Sequence, residues 1–291
     1  MKRSRVPYIL LIPFFLVVAV FGIFPIAFSV FMSFTDWDPL LPIARVGFVG
    51  LDNYVKALTQ DEVFLFALKN TLIYVLYEPF TILIGFALAL VLNSAMRGRS
   101  VFRTVLFIPV ITSTVALSFV WSWMYDYKYG ILNYLISAVG LPRQPFLSSP
   151  VQALPSVMVM SIWQWIGLNV VIFLAALQSI PKEYHEAARC SGANSVNCFR
   201  HVTVPLIKPT LLFVAITATA GSLQVFTEIY MMTRGGPARS TMTSVLWMYQ
   251  RAFKFSEFGY GAAMAFILFL IILAISIIEM RLLRRGGMTY Y

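Results

Sequence analysis

The chain has 291 residues, of which 59% are apolar and 12% charged, against the roughly half apolar and one-quarter charged of soluble domains. With a mean hydropathy of +0.80, any globule it formed would leave apolar surface in water, which excludes the soluble, disordered and fibrous classes and makes lipid the solvent. The 22 Lys and Arg outnumber the 12 Asp and Glu, a net charge of +10; in a membrane chain that surplus records topology, not nucleic-acid binding.

A hydrocarbon core of about 30 Å needs about 20 mostly apolar residues per helix. Six stretches qualify, at residues 8–34, 70–93, 104–125, 155–178, 210–232 and 260–280. The expectation is an all-α, polytopic membrane protein with six transmembrane helices in one domain spanning 1–291. The first stretch follows the basic start Met1-Lys2-Arg3-Ser4-Arg5. It outruns a signal-peptide core and has no A-x-A site, so it reads as a retained anchor, kinked at Pro13 and Pro25. Before the second stretch, Asp52 is placed to N-cap a short extracellular helix. Trp121 and Trp123, near the outer end of the third, mark the headgroup level.

Thirteen of the 22 Lys and Arg fall in the start and in segments 97–103, 182–208 and 281–285. The other nine are spread over the longer segments 35–69, 126–154 and 233–259. This density bias predicts both termini in the cytoplasm. Cys190 and Cys198 share one polar loop with no CxxC and only His185 and His201 nearby, which argues against a disulfide framework or a zinc site.

Residues 181–209 break the pattern, being long for a turn between packed helices. Pro181 suits a first helical position, residues 182–189 are mostly good helix formers, and Gly192 is placed to stop that helix in a left-handed cap before a second helix runs toward Pro205. Two readings stand on the residues alone. One is a rigid cytoplasmic protrusion that fits a pocket in a soluble partner; the other is an amphipathic hairpin lying on anionic headgroups.

Glu186-Ala187-Ala188, Gly192-Ala193 and Val202-Thr203-Val204-Pro205 with Lys208-Pro209 resemble the EAA loop of ABC-importer permeases. The likeness extends through FMSFTDW (31–37), FVGLDNY (48–54), RSVFRTVLFIP (99–109), GILNY (130–134), Gly235-Gly236-Pro237 and FGYGAA (258–263). Together these are similar to the first of the two permease subunits in carbohydrate-uptake systems. The resemblance implies a MetI-like permease fold and a sugar-importing permease subunit in a bacterial or archaeal plasma membrane. It further implies that 181–209 carries a cytoplasmic coupling helix, seated in a groove of the ATP-hydrolysing subunit through Glu186, Ala187, Ala188, Gly192 and Pro205. Ser191 stands where the family usually has Asp. The partners so implied are a second homologous permease, an ABC ATPase dimer and an extracytoplasmic sugar-binding protein.

No G-x-x-x-x-G-K-[ST] occurs, so ATP and Mg are expected in the partner ATPase. No nucleophile motif accompanies the two histidines, and the chain reads as non-catalytic, with no cofactor or metal of its own. Polar residues inside spans are then the candidates for a substrate pathway. In the fifth span Thr217, Gly221, Gln224 and Glu228 follow helical steps of 4, 3 and 4, with Ser222 at the border. In the fourth, Ser161, Gln164 and Trp165 share a face, between Trp163 and Asn169. A sugar needs such donors and acceptors in an apolar, aromatic pocket, whereas helix packing is the alternative for Thr217 and Gly221. Glu78 and Glu228 are read as the two acids within spans, both in the outer half. Such a pair keeps a proton-coupled secondary transporter as the alternative function.

Overall fold

The computed structural model describes residues 6–40, 42, 46–94 and 97–284; the basic start, Arg45 and Arg285 lie outside them. Regular structure among the described residues is helical, with one isolated bridge between Thr35 and Phe48. In chain order the helices are α1 (Val6–Val18), α2 (Phe24–Met32), α3 (Asp52–Thr59), α4 (Glu62–Tyr74), α5 (Glu78–Asn93), α6 (Arg99–Ile111), α7 (Thr114–Met124) and α8 (Ile131–Ala138). They continue with α9 (Ala153–Gln178), α10 (Lys182–Cys190), α11 (Ser195–Cys198), α12 (Val204–Ser222), α13 (Thr227–Met232), α14 (Ser244–Tyr249) and α15 (Phe258–Arg284). Among the described residues, five helical runs are long and apolar enough to cross a membrane, and six if α6 and α7 form one broken span.

The breaks have local causes. Between α1 and α2 a widened π turn, Ala19–Ile23, precedes Pro25 near the start of α2, and the π turn is where the helix accommodates the ring and the donor it lacks. Residues 10–32 run as one helical stretch, with Pro13 inside α1 and Pro25 just after the π turn. The second run begins at Glu62, eight residues before the expected start, and passes through a 3₁₀ turn at Val75–Tyr77. Asp52 is the first residue of α3 and Leu51 its cap, so the acid acts on the positive end of the helix from its first turn rather than as an N-cap.

The third span is not one helix. α6 and α7 meet at 98° because Thr112 and Ser113 adopt extended backbone angles. The Thr112 hydroxyl donates back to the Ile108 carbonyl, a local bond that competes with helix propagation. In the fifth run a π turn, Phe199–Thr203, absorbs Pro205, so the helix passes through both Pro205 and Pro209 instead of stopping before them.

The chain forms two compact units, residues 1–65 with 247–270, and residues 66–246 with 271–291. In the first, three of the stretches that resemble the permease family pack into one knot. Asn53 Nδ2 donates to the carbonyls of Ser33 (2.9 Å) and Thr35 (2.8 Å). Gly259 donates its N–H to the Trp37 carbonyl, and a Cβ on it would fall 2.0 Å from the Thr35 oxygen. These motif residues are thus explained by close packing.

Asp61 ties the same unit together. Its Oδ1 accepts from the Phe64 N–H at 2.9 Å, capping α4, and its Oδ2 accepts from Trp247 Nε1 (3.0 Å) and the Tyr260 hydroxyl (2.8 Å). Burial pushes the carboxyl pKa up, but these donors and the nearby Arg251 outweigh it and hold it below the ordinary carboxylate value. A pKa lowered by folding adds stability above the unfolded-state pKa, and that stability is lost as pH falls through the folded one. Thermal unfolding of the detergent-solubilised protein should therefore show an acid-side loss of stability that Asp61→Asn removes, together with a lower stability of that variant at neutral pH.

The second unit is built around α9, which packs against α5, α6 and α12. Its core joins Ala89 and Leu92 to Val170, Phe173, Leu174 and Leu177, with Ile207 and Val214 from the fifth run. Close approach depends on Gly167, where a Cβ would lie 1.9 Å from the Leu106 carbonyl oxygen. Small residues at helix crossings supply contact where lipid removes the hydrophobic drive between helices.

Candidate functional site

A cavity of 420 Å³ opens within the second unit. Tyr74, Tyr77 and Glu78 contribute from the junction of α4 and α5, Thr114 from the start of α7, and Trp165 and Asn169 from α9. Thr217, Gly221 and Ser222 come from the end of α12, Gln224 and Phe226 from the break that follows, and Glu228 from α13. Every wall segment therefore lies at or beside an interruption in a helix, apart from the α9 face. Irregular backbone at membrane depth is tolerated where it is buried in protein or lines a cavity.

The fifth-span break is the main departure from the expected continuous stripe. After Ser222 the bonds tighten to Gln224 N–H with the Gly221 carbonyl and Val225 N–H with that of Ser222, and the helix restarts at Thr227. The Gln224 side chain donates to the Ala220 carbonyl at 2.8 Å, and the Thr243 hydroxyl donates to that of Val225. These bonds satisfy carbonyls that the lost turn releases. Thr217, Gly221, Gln224 and Glu228 all face the cavity, from both sides of the break.

On α9 the expected face divides. Trp165 lines the cavity, whereas Ser161 and Gln164 are fully buried behind its wall. The Ser161 hydroxyl bonds that of Tyr74 at 2.6 Å, and Gln164 Nε2 donates to Thr114 Oγ1 at 2.9 Å. Both hold a lining residue in place. Helical spacing identified the shared face but not how far round it the wall extends.

Glu78 lies near the middle of the 32-residue run from Glu62 to Asn93. It and Glu228 are both buried and both open on the cavity. A third acid, Glu279, also lies within a span, where its Oε1 accepts from the Thr219 hydroxyl at 2.8 Å. It does not line the cavity. Tyr74, Tyr77 and Thr114 are lining residues that sequence reasoning left out, and Asn169, named only as flanking the fourth-span face, lines the cavity too; the signal available was the polar atom each carries inside an apolar stretch. At the far end of the third span, Trp123 is exposed, while Trp121 packs on Trp163 with ring centroids 5.5 Å apart.

In the segment 181–209 the first helix begins at Lys182, with Pro181 as its extended N-cap rather than its first helical residue, and it stops where Gly192 was expected to stop it. Gly192 takes φ +83°, its N–H bonds the Arg189 carbonyl, and the Ala193 N–H bonds that of Ala188, the pair of contacts that closes a left-handed helix cap. Asn194 then caps α11 through the Asn197 N–H at 2.8 Å. Glu186 and Ala187 are exposed, Ala188 is half-buried, no residue of α10 is buried, and Pro205 is exposed in the first turn of α12. Ser191 turns its hydroxyl back to the Ala187 carbonyl at 3.0 Å.

Residues 81–285 match the family model described as binding-protein-dependent transport system inner membrane component. The chain belongs to this family. A probable ABC transporter permease of Pyrococcus horikoshii is 38% identical, with the match covering 94% of this chain and 95% of the relative. The arabinooligosaccharides transport permease AraP of Bacillus subtilis is 32% identical over 97% of this chain and 89% of its own length. Among solved structures, a chain of a bacterial alginate ABC transporter in complex with an alginate pentasaccharide-bound periplasmic protein superposes with a TM-score of 0.85, covering 100% of this chain and 98% of that one. At 24% identity that likeness shows the fold. This permease is accordingly a transport component of the inner membrane.

Proposed function

We propose that the chain is one permease half of an ABC importer for a sugar, paired with a second homologous permease and two ATPase subunits, and supplied by an extracytoplasmic sugar-binding protein. The observation that carries this is a cavity lined by hydroxyls, amides and aromatic rings at the helix interruptions of a binding-protein-dependent permease. A saccharide binds through such groups, its hydroxyls to the polar atoms and its apolar face to a ring. AraP extends the reading to oligosaccharides. The density of basic residues supports both termini in the cytoplasm.

In this mechanism α10, which the chain leaves exposed, is the coupling helix, with Glu186, Ala187, Ala188 and Gly192 in the ATPase groove. ATP binding and hydrolysis occur in those partner subunits. Closure of the ATPase dimer moves α10 as a lever, and the cavity alternates between the two sides of the membrane. Binding in the cavity differs between the two states, since a ligand shifts an equilibrium only by its differential affinity. Family membership assigns the energy source to the partner subunits, so no proton relay through Glu78 and Glu228 is required.

Copurification of the tagged chain with its candidate partners from detergent-solubilised membranes, followed by ATPase assay in lipid, tests the reading. Recovery of a second permease and an ATPase, with hydrolysis raised by one sugar-loaded binding protein, is the expected result; solute uptake by the lone chain on a proton gradient without ATP overturns it. Within the same system Trp165→Ala should lower the apparent affinity for sugar by roughly tenfold, the equivalent of about 1.4 kcal/mol, while recovery of the partners stays unchanged. A loss of partners instead makes Trp165 a packing residue.

A further inference from the structure

We propose that Glu78 and Glu228 act as a charge filter that closes the cavity to sugars bearing a carboxylate, phosphate or sulfate and leaves it open to uncharged ones. This inference rests on the sugar-importer reading and names the substrate class of the same site. Both side chains open on one 420 Å³ cavity while only 5% and 9% exposed. Among the described residues that line it there is no Lys, Arg or His. The remaining polar lining is neutral, from tyrosine, serine and threonine hydroxyls and from the amides of Asn169 and Gln224. Such groups exchange hydrogen bonds with sugar hydroxyls and offer no ion pair to an anion.

A buried anion is costly unless paired; a carboxylate, phosphate or sulfate entering here would meet no cation among the described lining residues, and any charge on Glu78 or Glu228 would act against it. At the effective dielectric of a protein interior, repulsion over cavity dimensions amounts to about tenfold in occupancy or more. The alginate importer that shares this fold takes an acidic polysaccharide. The likeness carries the fold and not the lining, so the two cavities are free to differ in charge preference.

The potential inside the cavity is measurable without knowing the sugar. Gly221 lines the cavity and has open space where a Cβ would stand, so Gly221→Cys in a Cys190→Ser, Cys198→Ser background places one thiol there. The probes are a cationic and an anionic methanethiosulfonate reagent, used on the importer assembled in detergent. Their rate ratio at this thiol, divided by the ratio for a small thiol in solution, is expected to favour the cation by about tenfold or more. Glu78→Gln and Glu228→Gln should each reduce that preference, and the double variant should bring it near one. The single variants keep the test informative if the double variant does not assemble.

A normalised ratio near one in the parent, unchanged by either substitution, overturns the filter. ATP-driven uptake of a neutral sugar is followed in parallel in the importer that retains Gly221. Uptake with a flat ratio removes the filter and leaves the importer reading standing. A cation preference that the glutamine variants erase, with no ATP-driven sugar uptake, supports the charged cavity and removes the sugar reading.

Discussion

Gly167→Leu should abolish the folded permease. The Cβ that any side chain adds at Gly167 would fall 1.9 Å from the Leu106 carbonyl oxygen and 2.7 Å from its carbon. Both are backbone atoms of α6, so no rotamer change relieves the clash. The helices must separate, and the Gln164 bond to Thr114, one turn from the contact, is lost with them. Overpacking a core with movable side chains costs about 1–3 kcal/mol. A backbone collision exceeds that range and takes a large part of the roughly 5–15 kcal/mol that holds a domain folded. The expected result is loss of the monodisperse peak in size-exclusion chromatography and of cooperative thermal unfolding. Gly221→Ala is the control: no heavy atom lies within 4 Å of the position, and alanine favours the helix over glycine by roughly 0.5–1 kcal/mol. Its unfolding temperature should be unchanged or slightly raised. Equal tolerance of both substitutions would mean that α6 does not cross α9 at Gly167.

That contrast also marks the limit of what the sequence makes legible. Hydropathy placed the all-helical membrane class and the apolar runs, because a lipid core demands about 20 apolar residues wherever a helix crosses it. The same averaging hides interruptions. Thr112-Ser113 and Leu223–Phe226 read as ordinary members of a span, yet the first pair turns the chain by 98° and the second ends α12. Those two breaks, with the 3₁₀ turn at Val75–Tyr77, bring Thr114, Glu228 and Tyr77 to the cavity. Whether an extended residue interrupts a helix depends on which tertiary partner satisfies the freed groups, and that partner is distant in sequence: Thr243 for Val225 is the example here.

The candidate site was legible in its composition and partly in its placement. Trp165, Thr217, Gly221, Ser222, Gln224 and Glu228 line one cavity, although the helix that groups four of them is interrupted between Ser222 and Thr227. Ser161 and Gln164 instead support Tyr74 and Thr114 from behind. Periodicity supplies an angle around one helix, whereas the depth of a cavity wall is set by the neighbouring helix, and nothing in α9 alone contains it. Glu78 was legible as an intramembrane acid, whereas the start of its run was not, since that depends on Asp61 capping α4 at Phe64.

Gly192→Val is expected to uncouple transport while leaving the bundle intact. At φ +83° a β-branched residue is a strong outlier, and even an ordinary side chain pays about 1–2 kcal/mol for the left-handed conformation. Space is open around the position, so strain in the cap is the direct effect. The chain relieves that strain by releasing the Gly192 and Ala193 N–H bonds that close α10. No α10 residue is buried, and so the unfolding temperature of the isolated permease should hardly move. If α10 is the coupling helix, its loss of direction should reduce sugar uptake by about tenfold or more, for a strain near 1.4 kcal/mol, with ATPase activity no longer raised by the loaded binding protein. Gly192→Asn provides the internal check, because asparagine tolerates the left-handed region better than valine. Uptake should rank Gly above Asn above Val. Normal coupling in the valine variant would remove α10 from the power stroke, while equal damage from Asn and Val would point to lost space at the ATPase surface rather than to backbone conformation.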